Sequence, residues 1–199
     1  MRPRILIVAP LVAVLAVVTT GAAPAGAAPP TVVHVGAQAE YFLPSVVSVS
    51  RGGTVTWDFV DSHTATDATH MGVYDSGTID HSSFSYRFVA AGAYPFTCTI
   101  HTNMNGRVDV PIFATPSKGS ITRAFTLIWS SVVAPTGFVF DVQKRRAGSP
   151  WAIWAAGTTA RTSVFRPWRV GTYRFRARMR QMSSGFASGW SDAVTIAVS

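Results

Sequence analysis

Cysteine is nearly absent: the 199-residue chain has one, Cys98. No intramolecular disulfide can form, so burial and hydrogen bonding alone must hold the fold. Acids are scarce too, nine against seventeen Lys and Arg, and they are unevenly placed. Residues 29–115 hold three arginines (Arg51, Arg87, Arg107) and seven acids, a net −4. Residues 116–199 hold twelve Lys and Arg against Asp141 and Asp192, a net +10. Two electrostatically different halves imply two domains with separate surfaces. Helical periodicity is missing from most of the chain, while Gly, Pro, Thr, Ser and Val abound. That composition argues against a helical bundle and predicts an all-β fold. The one long apolar run, Ile5 to Val18, is 14 residues, too short to span a bilayer comfortably.

What surrounds that run gives it another meaning. Arg2 and Arg4 precede it and Ala25-Gly26-Ala27 follow it, the layout of a secretory leader covering about residues 1–28. Pro3 separates the two arginines, so no twin-Arg pair is present and Sec-type export is expected. No Cys near the cleavage site offers a lipid anchor and no apolar tail follows, so the expected product is secreted, with no integral membrane segment. About 171 residues remain, enough for two small domains. The expected division is 29–114 for the first domain, 115–120 for a small, polar, Pro- and Gly-containing linker, and 121–199 for the second.

The lone thiol has conspicuous neighbours. Cys98-Thr-Ile-His101-Thr-Asn-Met104 places a thiolate, an imidazole and a thioether at intervals of three. Soft sulfur with imidazole suits copper, and a copper electron-transfer site is built from two His, one Cys and a weak axial Met. One loop supplies three of those four. A second His must come from elsewhere, and His63 is the candidate, although its spacing is not diagnostic. His70-Met71 offers another soft pair in the stretch that follows. Separately, His101 and Met104 would read as a surface His and a turn Met, and Cys98 as a small buried hydrophobe. An exported chain with one free thiol nevertheless carries an oxidation liability unless the thiol has a role.

Further segments carry a family resemblance. Phe42-Leu43-Pro44, Arg51-Gly52-Gly53-Thr54-Val55-Thr56-Trp57, Asp75-Ser76-Gly77, Phe84-Ser85-Tyr86-Arg87-Phe88, Gly92-Ala93-Tyr94-Pro95-Phe96 and the loop running into Gly106-Arg107-Val108 stand in the order of a cupredoxin of the plastocyanin/azurin/amicyanin type. The resemblance spans about Tyr41 to Phe113, and the short gaps around His101 are similar to amicyanin. It implies a Greek-key sandwich binding one copper ion (Cu(I)/Cu(II)) through His63, Cys98, His101 and Met104. It also implies single-electron transfer with a redox partner protein, through the exposed edge of His101. Many members have Asn directly after the first His, tying the two ligand loops together; this chain has Thr64.

In the second half, Phe125-Thr-Leu-Ile-Trp129, Gly137-Phe-Val-Phe-Asp141, Gly171-Thr-Tyr173-Arg-Phe-Arg and Gly189-Trp190-Ser191 resemble a fibronectin type III domain, an immunoglobulin-like β-sandwich. Tyr173, Phe175, Ala177 and Met179 alternate with Arg174, Arg176, Arg178 and Arg180. One set is expected to face a core and the other solvent. The arginines read either as an anion-binding strip for cell-surface polymer or nucleic acid, or as a stacked ladder with Trp190, the expected arrangement. Trp151 and Trp154 read as cross-strand packing ahead of a carbohydrate platform. His34 and His81 read as surface residues.

No open coordination position and no substrate-directed acid–base pair is visible, so an electron carrier is expected rather than an enzyme. Two alternatives use the same residues: extracellular copper scavenging or delivery, and a surface-binding module that carries a copper site. The expected partners are a redox protein and an anionic cell-surface polymer held by the basic half, with no nucleic acid.

Overall fold

The computed structural model describes residues 31–36 and 40–199, and the expected leader lies outside them. Every regular element among the described residues is a β-strand. The first half comprises β1 (Thr31–Val35), β2 (Phe42–Leu43), β3 (Val46–Ser48), β4 (Gly53–Phe59), β5 (Thr66–Asp67), β6 (Ser83–Phe88), β7 (Gly92–Thr97) and β8 (Asn105–Val110). They form two four-stranded sheets, β2-β1-β4-β6 and β3-β8-β7-β5. Alternation along β4 buries Val55, Trp57 and Phe59, and along β7 it buries Tyr94 and Phe96. Trp57 bridges the sheets, its ring edge-on to Phe96 with centroids 5.3 Å apart. Each such buried aromatic contributes about 1.5–3 kcal/mol through its removal from water.

The second half comprises β9 (Phe113–Thr115), β10 (Lys118–Gly119), β11 (Phe125–Ile128), β12 (Phe138–Arg146), β13 (Ala152–Thr158), β14 (Thr162–Phe165), β15 (Gly171–Gln181) and β16 (Val194–Val198). A three-stranded sheet, β14-β11-β9, faces a five-stranded one, β10-β16-β15-β12-β13. Tyr173, Phe175, Ala177 and Met179 are buried. Trp154 packs edge-on against Trp129 and Phe175, at 6.2 and 5.2 Å, inside this second core. The Tyr173 hydroxyl donates to the Arg169 carbonyl four residues upstream, at 2.8 Å. Such a tyrosine corner, a bond from the ring hydroxyl back to the chain a few residues upstream, occurs in β-sandwiches. Tyr94 makes the same bond to Ala90, at 2.9 Å, in the first half.

Two of the four outward arginines, Arg176 and Arg178, form the expected ladder on Trp190, joined by Arg145 and Trp151. Arg180 pairs instead with Asp141, and Arg174 lies over no indole among the described residues. Arg145 and Arg176 lie over Trp151 at 4.7 and 4.3 Å, and Arg176 and Arg178 over Trp190 at 5.0 and 4.6 Å. Each contact contributes about 0.5–2 kcal/mol. One end of the ladder is neutralised, because Asp141 accepts hydrogen bonds from Arg178 (3.1 Å) and Arg180 (2.9 Å). Burial opposes ionisation of Asp141. The Arg180 hydrogen bond, the Gly157 amide, the Arg180 charge and the Arg178 hydrogen bond outweigh it and hold the carboxyl below its ordinary range.

The expected linker at 115–120 is not free. Thr115 belongs to β9, which pairs with β11, and Lys118 and Gly119 pair with β16. Chain leaving the first sandwich is drawn directly into the second, because its polar backbone finds partners there. The halves also touch elsewhere. Ala93 and Gly189 exchange both backbone hydrogen bonds, at 3.0 and 2.8 Å, and Ala91 donates to the Trp129 carbonyl at 2.7 Å. Gly92 permits this approach, since a Cβ there would lie 2.4 Å from Ser188 Oγ. The Gln181 side chain also donates to the Met71 carbonyl, at 3.1 Å.

Candidate metal centre

Cys98 follows directly on β7, where the pairing of Thr97 with Asn105 closes a short loop back into β8. The Cys98 amide donates to the Met104 carbonyl at 3.0 Å, and the Thr97 hydroxyl donates to the same oxygen at 3.1 Å. Asn103 makes the turn with φ 65°, a left-handed conformation that Asn tolerates better than most residues. His63 arrives from the end of β4 and is pinned by paired backbone bonds to Ile79, at 3.0 and 2.9 Å. Strong strand pairing on both sides therefore fixes the two donor segments before any ligand enters.

Their side chains converge. Cys98 Sγ lies 3.7 Å from His63 Nδ1 and 3.5 Å from His101 Nδ1, and the two imidazole nitrogens are 2.9 Å apart. All three donor atoms fall within 4.8 Å of one another, the single such grouping among the described residues. Metal bonds of about 2.0–2.3 Å to nitrogen and sulfur would place three donors in a plane ~3.5 Å apart. The two sulfur–nitrogen separations match that spacing, and the nitrogen–nitrogen one needs only slight opening. One thiolate and two imidazoles are the donor set of a trigonal copper site. The residues present fit a copper ion.

Burial is graded across the set. His63, Cys98 and Met104 are 2%, 3% and 1% exposed, whereas the His101 side chain is 29% exposed. Met104 lies buried at the end of the ligand loop, its carbonyl tied to Cys98 and Thr97.

Thr64 takes the place of the Asn that the resemblance led one to expect. Its backbone amide points at Cys98 Sγ, 3.4 Å away, and its hydroxyl accepts from the Thr99 amide at 2.7 Å. The two loops are thus tied by a hydroxyl. A donor aimed at the sulfur stabilises thiolate charge, so Thr64 acts on the electronic character of Cys98.

Asp61 was not anticipated. Its carboxylate lies 2.6 Å from His63 Nε2, so that nitrogen carries the proton and Nδ1 is left for the metal. Gly36, at φ 80°, makes room for the pair, because a Cβ there would fall 1.9 Å from Asp61 Oδ1. An acid two residues before a candidate His was the available signal in the sequence.

The remaining histidines lie outside the cluster. His70 packs on Phe186 of the second half, with centroids 5.4 Å apart, and Met71 is buried beside that junction. His34 is exposed beside Asp58, and His81 is exposed and bonded to Asp80 at 2.6 Å. Glu40, Asp61, Asp80, His81 and the edge of His101 share one shallow depression.

No family model and no curated protein matches the chain. Among solved structures, neighbours over about two fifths of the chain are amicyanin and other cupredoxins. A reduced mutant of amicyanin is 25% identical over 41% of this chain and 81% of its own, with a TM-score of 0.36. A purple cupredoxin from Nitrosopumilus maritimus is 20% identical over 40% of this chain and 98% of its own, with a TM-score of 0.36. A copper-containing nitrite reductase from Thermus scotoductus is 24% identical over 48% of this chain but only 24% of its own, with a TM-score of 0.37.

Proposed function

We propose that the chain is an exported carrier of single electrons, in which His63, Cys98 and His101 would hold one copper ion with Met104 as a weaker fourth donor. The observation that carries this reading is the convergence of three donor atoms that are rigidly placed, buried, and open to solvent at one histidine edge. Copper supplies the one-electron couple when bound. The protein's contribution is to keep the geometry constant between the two oxidation states. Strand pairing up to Thr97 and the His63–Ile79 bridge hold the donors, Thr64 points an amide at the sulfur, and Asp61 fixes the His63 tautomer. Preorganised donors favour a shuttle over a delivery protein, whose site must release its metal readily. We propose further that the second half is a fibronectin type III-like sandwich, supported by its three-plus-five sheets and the Tyr173 corner.

Titration of the metal-free protein with Cu(II) should saturate at one equivalent with an intense blue charge-transfer band. A colourless complex, or a stoichiometry above one, would refute the site.

Met104→Gln should retain copper and lower the reduction potential, measured by voltammetry. A long thioether contributes little affinity but favours the softer Cu(I), whereas an amide oxygen favours Cu(II). An unchanged potential would remove Met104 from the ligand set.

A further inference from the structure

A second concentration of charge lies far along the chain from the metal centre. On the outer face of the five-stranded sheet, Asp141, Gln143 and Arg145 of β12 stand in register opposite Arg178, Arg176 and Arg174 of β15. The first rung is neutralised by its carboxylate. In the second, the Gln143 side-chain oxygen accepts two hydrogen bonds from Arg176, at 2.9 and 2.7 Å. The third rung has neither device. Arg145 faces Arg174 directly, and like charges at opposed positions of an antiparallel pair are destabilising. Among the described residues neither arginine forms an ion pair.

The rung is also shaped. Trp151 lies beneath both Arg145 and Arg176 and limits their freedom. Arg145 and Arg174 flank a depression whose floor includes Ala147, Gly148 and Thr172. Two guanidinium forks reaching in from adjacent strands need an anion with an oxygen for each. A single bidentate contact occupies both oxygens of a carboxylate, whereas a phosphate monoester or a sulfate ester presents a third. The +10 charge of residues 116–199 would draw in a polyanion from a distance.

We propose that the Arg145–Arg174 rung binds a tetrahedral oxyanion with three terminal oxygens borne on a polymer, a phosphate monoester or a sulfate ester. It holds the protein on such a polymer without involving the metal centre. The site is independent of copper, so the full chain is tested metal-free.

Phosphorylated dextran and dextran sulfate serve as probes of the two sources, with polyglutamate as the carboxylate comparison. The wild-type chain should bind one or both of the first two at low salt and polyglutamate at least tenfold more weakly. Arg145→Gln/Arg174→Gln should lose at least about tenfold in affinity, with a salt dependence shallower by about two ions. Arg123→Gln/Arg166→Gln removes the same charge from exposed positions elsewhere and should lose far less. Amide circular dichroism checks that each variant folds, and Arg174→Gln alone replaces the pair if the double variant does not. No binding by the wild type, equal loss in both double variants, or equal affinity for polyglutamate would each overturn the proposal.

Discussion

Cys98→Ser is expected to bleach the copper-loaded protein completely while the β-sheet ellipticity and the melting of the metal-free chain stay near wild type. Only a copper–thiolate bond gives the blue charge-transfer absorption, and a hydroxyl cannot replace it. The fold should survive because the loop is closed by backbone bonds, Cys98 amide to Met104 carbonyl among them, that serine keeps. Serine is close to cysteine in volume, so no appreciable cavity opens in the core. Blue colour persisting in the variant would mean that the sulfur is not a ligand. Collapse of the metal-free fold would mean that Cys98 has a packing role the geometry does not suggest.

Trp129→Ala is expected to destabilise the whole chain by about 3–5 kcal/mol, the range for removing a buried tryptophan. Trp129 is 1% exposed, packs on Trp154, donates its indole N–H to the Ala160 carbonyl at 2.7 Å, and receives Ala91 of the first half through its own carbonyl. For a chain of this size the loss corresponds to a melting temperature lower by roughly 10 °C. Because β9 joins the second sandwich and Ala93 pairs with Gly189, both halves should melt together. Loss of the copper colour and loss of ellipticity should therefore shift equally. A colour transition that stays at its wild-type temperature while ellipticity falls would show that the sandwiches unfold independently. For the same reason, cutting the chain near residue 115 would not yield two intact parts.

The features legible in the sequence are those repeated at short range. Three soft donors within seven residues disclose the ligand loop, and strict alternation discloses β15. The stacking of Arg176 and Arg178 on Trp190 was foreseeable because arginines share one face of a strand and Trp190 follows close behind, whereas the part played by Arg145 and Trp151, further back in the chain, was not. What was not legible depends on contacts between distant segments. Residues β2, β5 and β10 are two residues long, too short to show any period, and exist because a neighbouring edge accepts them. Residues 115–120 read as a linker since small polar residues also suit an edge strand. The part played by Thr64 was hidden because it uses a hydroxyl and a backbone amide. Asp61 matters only because Gly36, in another strand's turn, leaves space for it.

One exposed histidine edge has a consequence for how such a carrier would meet its partners. His63, Cys98 and Met104 are shut away, so among the described residues His101 would be the one short route for an electron in either direction. A donor and an acceptor would have to use the same doorway, and they cannot stand in it together. Each visit must end before the next begins, and turnover is limited by how fast a spent partner leaves. At an association rate of about 10⁶ M⁻¹s⁻¹, a nanomolar complex would last many minutes. Tight partnership would be a fault in this molecule, and its encounters at the His101 face should be brief.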